Sequence, residues 1–168
     1  MQSTGPEDLG VRMRDHIMKL FHTSPSKIEK INSDGRFGEF LFFSGNVYTM
    51  TVAAPVVYSL ELTDSDVIKA SQLFYHEDAA KLTGLVAELA ERLGVDEDTA
   101  EALIEESKSV YDIDSIEAED AADASWDVQL FTARAAKILG FRAVQVTDEQ
   151  GAAWMVDMLG RESELTLQ

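Results

Sequence analysis

The chain has 168 residues, enough for one domain whose core needs no covalent staple. It contains no cysteine, which excludes disulfides and thiolate metal sites and suits a reducing cytoplasm. A formal net charge of −17 repels phosphate backbones and argues against direct nucleic-acid binding.

The charge is unevenly placed. Between Glu77 and Asp127 stand 17 acidic residues against three basic ones (Lys81, Arg92, Lys108), a net −14 that leaves −3 for the rest. Such a field steers a molecule toward a basic partner, for instance a protein that handles DNA or RNA. An acidic helical face turned to water reads the same way. No apolar run approaches the ~20 residues of a membrane helix. Glu7, Asp8 and Asp15 break the pattern of a signal peptide.

In chain order, residues 1–17 read as a polar, flexible N-terminal extension ahead of a single domain over 18–168. A short helical or extended entry is expected over 11–18. Residues 19–22 read as a strand that ends at the turn-forming Thr23-Ser24-Pro25. A glycine-punctuated loop, 33–38, leads into 39–44, whose aromatic density predicts a strand buried on both faces. Gly45-Asn46 turns the chain; 47–52 can pair as a strand or open a helix, and 56–62 alternates as a strand.

The middle is helical, and residues 77–127 form its acidic region. Ala79, Leu82, Leu85, Val86, Leu89 and Leu93 recur at three and four residues, a single stripe ended by Gly94. Asp98 followed by Glu101 predicts the next helix start, with Ala100, Leu103, Ile104, Ser107 and Tyr111 as its stripe. A third helix, about 117–139, sets Trp126, Leu130 and Ala133 on one side and closes at Gly140. Residues 141–146 then form a strand, Asp148-Glu149-Gln150-Gly151 a turn, and 152–158 the antiparallel return. Strands, helices, then strands predict an α+β domain in which first and last strands can be neighbours. There is no internal repeat, no histidine pair at metal-ligand spacing and no Gly-x-Gly-x-x-Gly after a strand.

Two short motifs each follow a strand: Phe21-His22-Thr23-Ser24-Pro25 and Asp148-Glu149-Gln150-Gly151. Tyr48 and Tyr58 lie between them. Pairing of the terminal strands would gather His22 and Asp148 or Glu149 into one cleft. These residue types suit cleavage of a nucleotide's glycosidic bond. In NAD the nicotinamide leaves neutral, so no strong acid is needed, and positive charge develops on the ribose. A carboxylate stabilises that charge, tyrosine rings stack on nicotinamide, and a histidine bonds a ribose hydroxyl. Each residue also has a plainer place. His16 and His76 read as surface or core residues, the tyrosines as strand aromatics, and the acidic turn as an ordinary hairpin. Phe40, Phe42 and Phe43 read as core.

The segments FHTSP, GRFGEFLFFSGNVYTM, FYHEDAAKLTGLV and LGFRAVQVTDEQGAAWMVDMLG together resemble the eleventh family of type I-F anti-CRISPR proteins, from about Phe21 to Leu165. The resemblance implies a single-domain ADP-ribosyltransferase-like fold of the His-Tyr-acid, diphtheria-toxin-like class. That is a split mixed β-sheet with a helical insertion between its N- and C-terminal strands. It implies NAD as the consumed ADP-ribose donor, no metal, and action inside a bacterial host cell. The implied target is the motif-reading subunit of a type I-F CRISPR surveillance complex, whose modification blocks DNA recognition. Carried onto this chain, His22 stands at a ribose and Thr23 offers backbone groups to the nicotinamide amide. Tyr48 and Tyr58 sandwich the nicotinamide ring. Ser24 and Phe37 lie in matching segments beside the NAD site. Asp148 is the expected essential carboxylate, although the class usually has glutamate there; Glu149 is its rival, and Gln150 can position the acceptor. Two other readings stay open: a non-enzymatic acidic DNA mimic filling a basic groove, and an NAD glycohydrolase without a protein acceptor.

Overall fold

A computed structural model describes residues 17–24, 40–45, 56–148 and 151–167, with Asp148 placed by its backbone. The expected loop at 33–38, the element at 47–52 and the extension before Ile17 lie outside the described residues, as do Phe37, Tyr48, Glu149 and Gln150. The strands are β1 (Ile17–Ser24), β2 (Phe40–Ser44), β3 (Val56–Thr63) and β4 (Val67–Lys69), then β5 (Ala143–Asp148), β6 (Gly151–Asp157) and β7 (Thr166–Leu167). Three α-helices, α1 (Thr83–Leu93), α2 (Glu97–Ile104) and α3 (Ala118–Ile138), fall between β4 and β5. This is the expected α+β domain with a helical insertion.

The strands form one sheet in the order β4-β5-β6-β2-β1-β3-β7, with β4 and β5 parallel and the other pairs antiparallel. Side chains alternate between two faces. Phe40, Ile68, Val144, Val146, Ala153 and Met155 point toward the helices and form the larger core with them. Leu20, Phe43, Leu60, Leu62, Ala143 and Val156 form a second core on the other face. Phe40 and Phe43 therefore serve opposite faces, which is why β2 is so densely aromatic.

Four expectations are corrected. The first strand pairs with neither β5 nor β6, because β2 lies between them. Asp96, not Asp98, caps α2: its carboxylate accepts the Thr99 amide at 2.7 Å, a reach that only the residue flanking the first turn has. The stripe does not run on to Ser107 and Tyr111. The helix stops at Ile104, and Tyr111 is exposed in a 3-10 turn. Of the side read for α3, Ala133 is buried and Leu130 packs against the core but Trp126 is exposed, the buried face also holding Ala121, Ala124, Val128, Phe131, Ala135 and Ala136. Small residues there let α3 approach the sheet closely, a packing demand that periodicity counted by bulk does not register. Ala79 and Leu82 belong to a 3-10 turn ahead of α1, and Gly94 ends α1 in the left-handed conformation as read. His76 has the structural place expected of it: its Nδ1 accepts the Asp78 amide at 3.0 Å and its ring meets Phe141 edge-on.

Candidate functional site

The site begins where the sheet is weakest. β1 pairs with β3 along its whole length, from Ile17↔Thr63 to Ser24↔Val56, but among the described residues meets β2 at one pair, Phe21↔Ser44. Among those residues the sheet is thus split into two parts joined by a single bridge. Just past that bridge the His22 ring replaces the missing ladder, with Nδ1 2.7 Å from the Phe42 carbonyl oxygen. A carbonyl only accepts, so Nδ1 carries the proton. Burial lowers the His22 pKa below its usual value, opposed by the bond to Phe42. The ring is therefore neutral at neutral pH, and Nε2 is left as an acceptor suited to a hydroxyl. Phe43 lies against it at 5.5 Å between centroids.

Register sets a row of side chains across one face: Tyr58 beside His22, then Phe43, Trp154, Gln145 and Lys69. Tyr58 is only 5% exposed, so it forms a wall of the core beside the histidine. Ser24 is buried on the same face, while Thr23 projects to the other. Trp154 stands in this row with no motif in the sequence to mark it. Its indole Nε1 is buried and has no hydrogen-bond partner among the described residues, an unmet donor within the aromatic row. The available signal was its place in an alternating strand, where a polar-tipped aromatic faces the smaller core.

Asp148 stands at the far end of β5, paired with Gly151, whose φ of 113° is the glycine-only conformation expected of this hairpin. β6 and β2 separate its strand from β1, roughly 14 Å at ~4.8 Å per strand. The structure thus brings His22 and Tyr58 side by side and sets the Asp148 backbone three strands away. Tyr48, Phe37, Glu149 and Gln150 are outside the described residues.

Next to the end of β5 lies a cleft of about 580 Å³ lined by Lys69, Gln145 and Thr147 of the sheet and by Glu106, Lys108 and Asp112 of the segment after α2. Both Glu106 carboxylate oxygens are 3.2 Å from the Thr147 amide nitrogen. Burial raises the Glu106 pKa, and the Thr147 bond works against that shift. Among the described residues no group of three or more histidine, aspartate or glutamate side chains could hold a metal ion. None of their helices is long and apolar enough to cross a membrane.

A solved structure described as "Crystal structure of an anti-CRISPR protein" superposes with a TM-score of 0.57 at 22% identity, over 92% of this chain and 96% of that one, a likeness of fold. No curated protein matches at a significant level. The family model for "Anti-CRISPR Type I-F ADP-ribosyltransferase AcrIF11" matches residues 18–161, nearly the entire described domain. The chain therefore belongs to the type I-F anti-CRISPR ADP-ribosyltransferase family.

Proposed function

We propose that this protein is a mono-ADP-ribosyltransferase that consumes NAD and modifies the motif-reading subunit of a type I-F CRISPR surveillance complex, blocking recognition of target DNA. The observation that carries the reading beyond the family is His22, its Nδ1 held by the Phe42 carbonyl at the split in the sheet with Nε2 turned to accept. A ribose hydroxyl is the natural donor to that nitrogen. The fit extends to the buried Trp154 indole, which would gain a partner from an amide or phosphate oxygen.

In the transfer, the bond between ribose C1′ and the nicotinamide nitrogen breaks and its electron pair leaves with neutral nicotinamide. A nucleophile on the target bonds to C1′ and gives up its proton. Asp148, with Glu149 as its rival, is proposed to stabilise the cationic ribose, a role worth several kcal/mol in comparable sites. Tyr48 and Tyr58 are proposed to hold nicotinamide, with Thr23, Ser24, Phe37 and Gln150 bordering the dinucleotide. The acidic region 77–127 would dock the basic surface of a DNA-binding subunit inside the bacterial cell.

The net charge of −17 favours a second reading, a stoichiometric DNA mimic. Intact-protein mass spectrometry of purified surveillance complex, incubated with this protein with and without NAD, separates the two. A covalent ADP-ribose increment on one subunit at substoichiometric protein supports the enzyme. Inhibition without NAD at one copy per target, reversed by salt, supports the mimic. Free ADP-ribose with no labelled protein would instead mark a glycohydrolase.

A further inference from the structure

The end of β5 has an unusual support. The β4–β5 ladder stops at Lys69↔Gln145, so among the described residues the next amide on that edge of β5, that of Thr147, has no strand to bond. Glu106 supplies the missing acceptor from 41 residues away in sequence, with both carboxylate oxygens at 3.2 Å. Its backbone is shaped for this. Glu106 sits at φ 67°, the only non-glycine residue with positive φ among those described. Its amide donates to the Leu103 carbonyl and that of Ser107 to the Ala102 carbonyl, the reverse turn that closes a helix C-terminus. Gly94 and Gly140 occupy the left-handed position at the ends of α1 and α3. At the end of α2 a glutamate stands where glycine would be unstrained. The turn is itself anchored, because the buried Thr132 hydroxyl lies 2.8 Å from the Ile104 carbonyl oxygen.

We infer that Glu106 is a positioning residue: its carboxylate takes over where the β4 ladder ends, holds the Thr147 amide, and so sets the backbone height of the neighbouring Asp148 for the transfer reaction. This rests on the reading of Asp148 as the reactive carboxylate. The role needs an acceptor oxygen but no charge. Glutamine can fill it, whereas alanine removes the acceptor without changing the β-carbon that the left-handed backbone must accommodate.

The test uses the full chain and NAD, with transfer kinetics for Glu106→Ala, Glu106→Gln and Asp148→Asn, together with hydrogen exchange at the Thr147 amide. The expected result is a kcat roughly tenfold or more lower in Glu106→Ala, given how steeply rate depends on placement, at an unchanged KM for NAD. Thr147 exchange should accelerate in that variant. Glu106→Gln should restore both within about threefold, a rescue that loss of general stability would not produce. Parental kcat in Glu106→Ala, while Asp148→Asn is inactive, overturns the positioning role alone. So does a Glu106→Gln protein as slow as the alanine variant, or unchanged Thr147 protection in Glu106→Ala. A fully active Asp148→Asn instead overturns the reading of the carboxylate on which the role depends.

Discussion

Tyr58 lies directly opposite His22 in the β1–β3 pairing, on the same face of the sheet as the imidazole that bonds Phe42, and is itself buried. The histidine is held twice from β2, through the hydrogen bond to the Phe42 carbonyl and through its ring against Phe43 at 5.5 Å. Its remaining nitrogen is the part of the ring free to meet a ligand. Removing it separates two effects. His22→Ala should raise the KM for NAD about three- to tenfold, the loss of one hydrogen bond. It should also lower the melting temperature, because the Phe42 carbonyl loses the His22 Nδ1–H donor in a half-buried place. Titration calorimetry with NAD and thermal unfolding read the two separately; unchanged NAD affinity would remove His22 from the binding site.

The acidic turn can be resolved by paired substitutions. Asp148→Ala is expected to keep the fold and lose transfer by at least a hundredfold, as removal of a charge-stabilising group does. Glu149→Ala is expected to lose less. The reverse ranking would move the reactive carboxylate one residue along.

Burial of His22 has a consequence for pH. Its folded pKa lies below the ordinary 6.5, so as pH falls through that value the unfolded chain takes up a proton before the native one. Stability falls with it and levels off below the folded pKa. Above 6.5 both states are neutral and the contribution vanishes. Denaturant titrations across this window should show a slope in the parent that His22→Ala lacks; equal slopes would mean that the ring is solvated. Glu106 has the opposite sign. Its pKa is raised from 4.5, so the native state holds its proton longer, and stability declines as pH rises from 4.5 through the raised value. Glu106→Gln should flatten that decline.

Phe131 is fully buried in the larger core, with the Arg134 guanidinium 4.7 Å from its ring centre. Phe131→Ala should cost about 3–5 kcal/mol, a large share of the ~5–15 kcal/mol that holds a domain together. Urea unfolding measures it. By contrast, Arg134→Ala breaks an exposed pair with Glu88 and should cost about 1 kcal/mol or less beyond lost packing on Phe131.

Much of this protein was legible from residues alone. Glycines at 94, 140 and 151 stop two helices and turn one hairpin because each adopts a backbone that other residues resist. The aromatic run at 40–43 announced a strand between two cores. The family, too, followed from segment order, since spacing along a chain is preserved whatever the fold does with it.

What the sequence could not contain was pairing across distance. Strand alternation assigns residues to faces but not strands to neighbours, so nothing in it foretold that β2 would separate β1 from β6 or that β1 and β2 would share a single bridge among the described residues. Asp96 displaced Asp98 as a cap because helix ends answer to local backbone geometry rather than to spacing alone. Trp154 and Glu106 acquired their places only when β6 met β2 and the end of α2 met β5. Hydrogen bonds between residues 41 apart are decided by which unpaired amide is left over once the sheet is built, a property of the assembled structure and of no segment by itself.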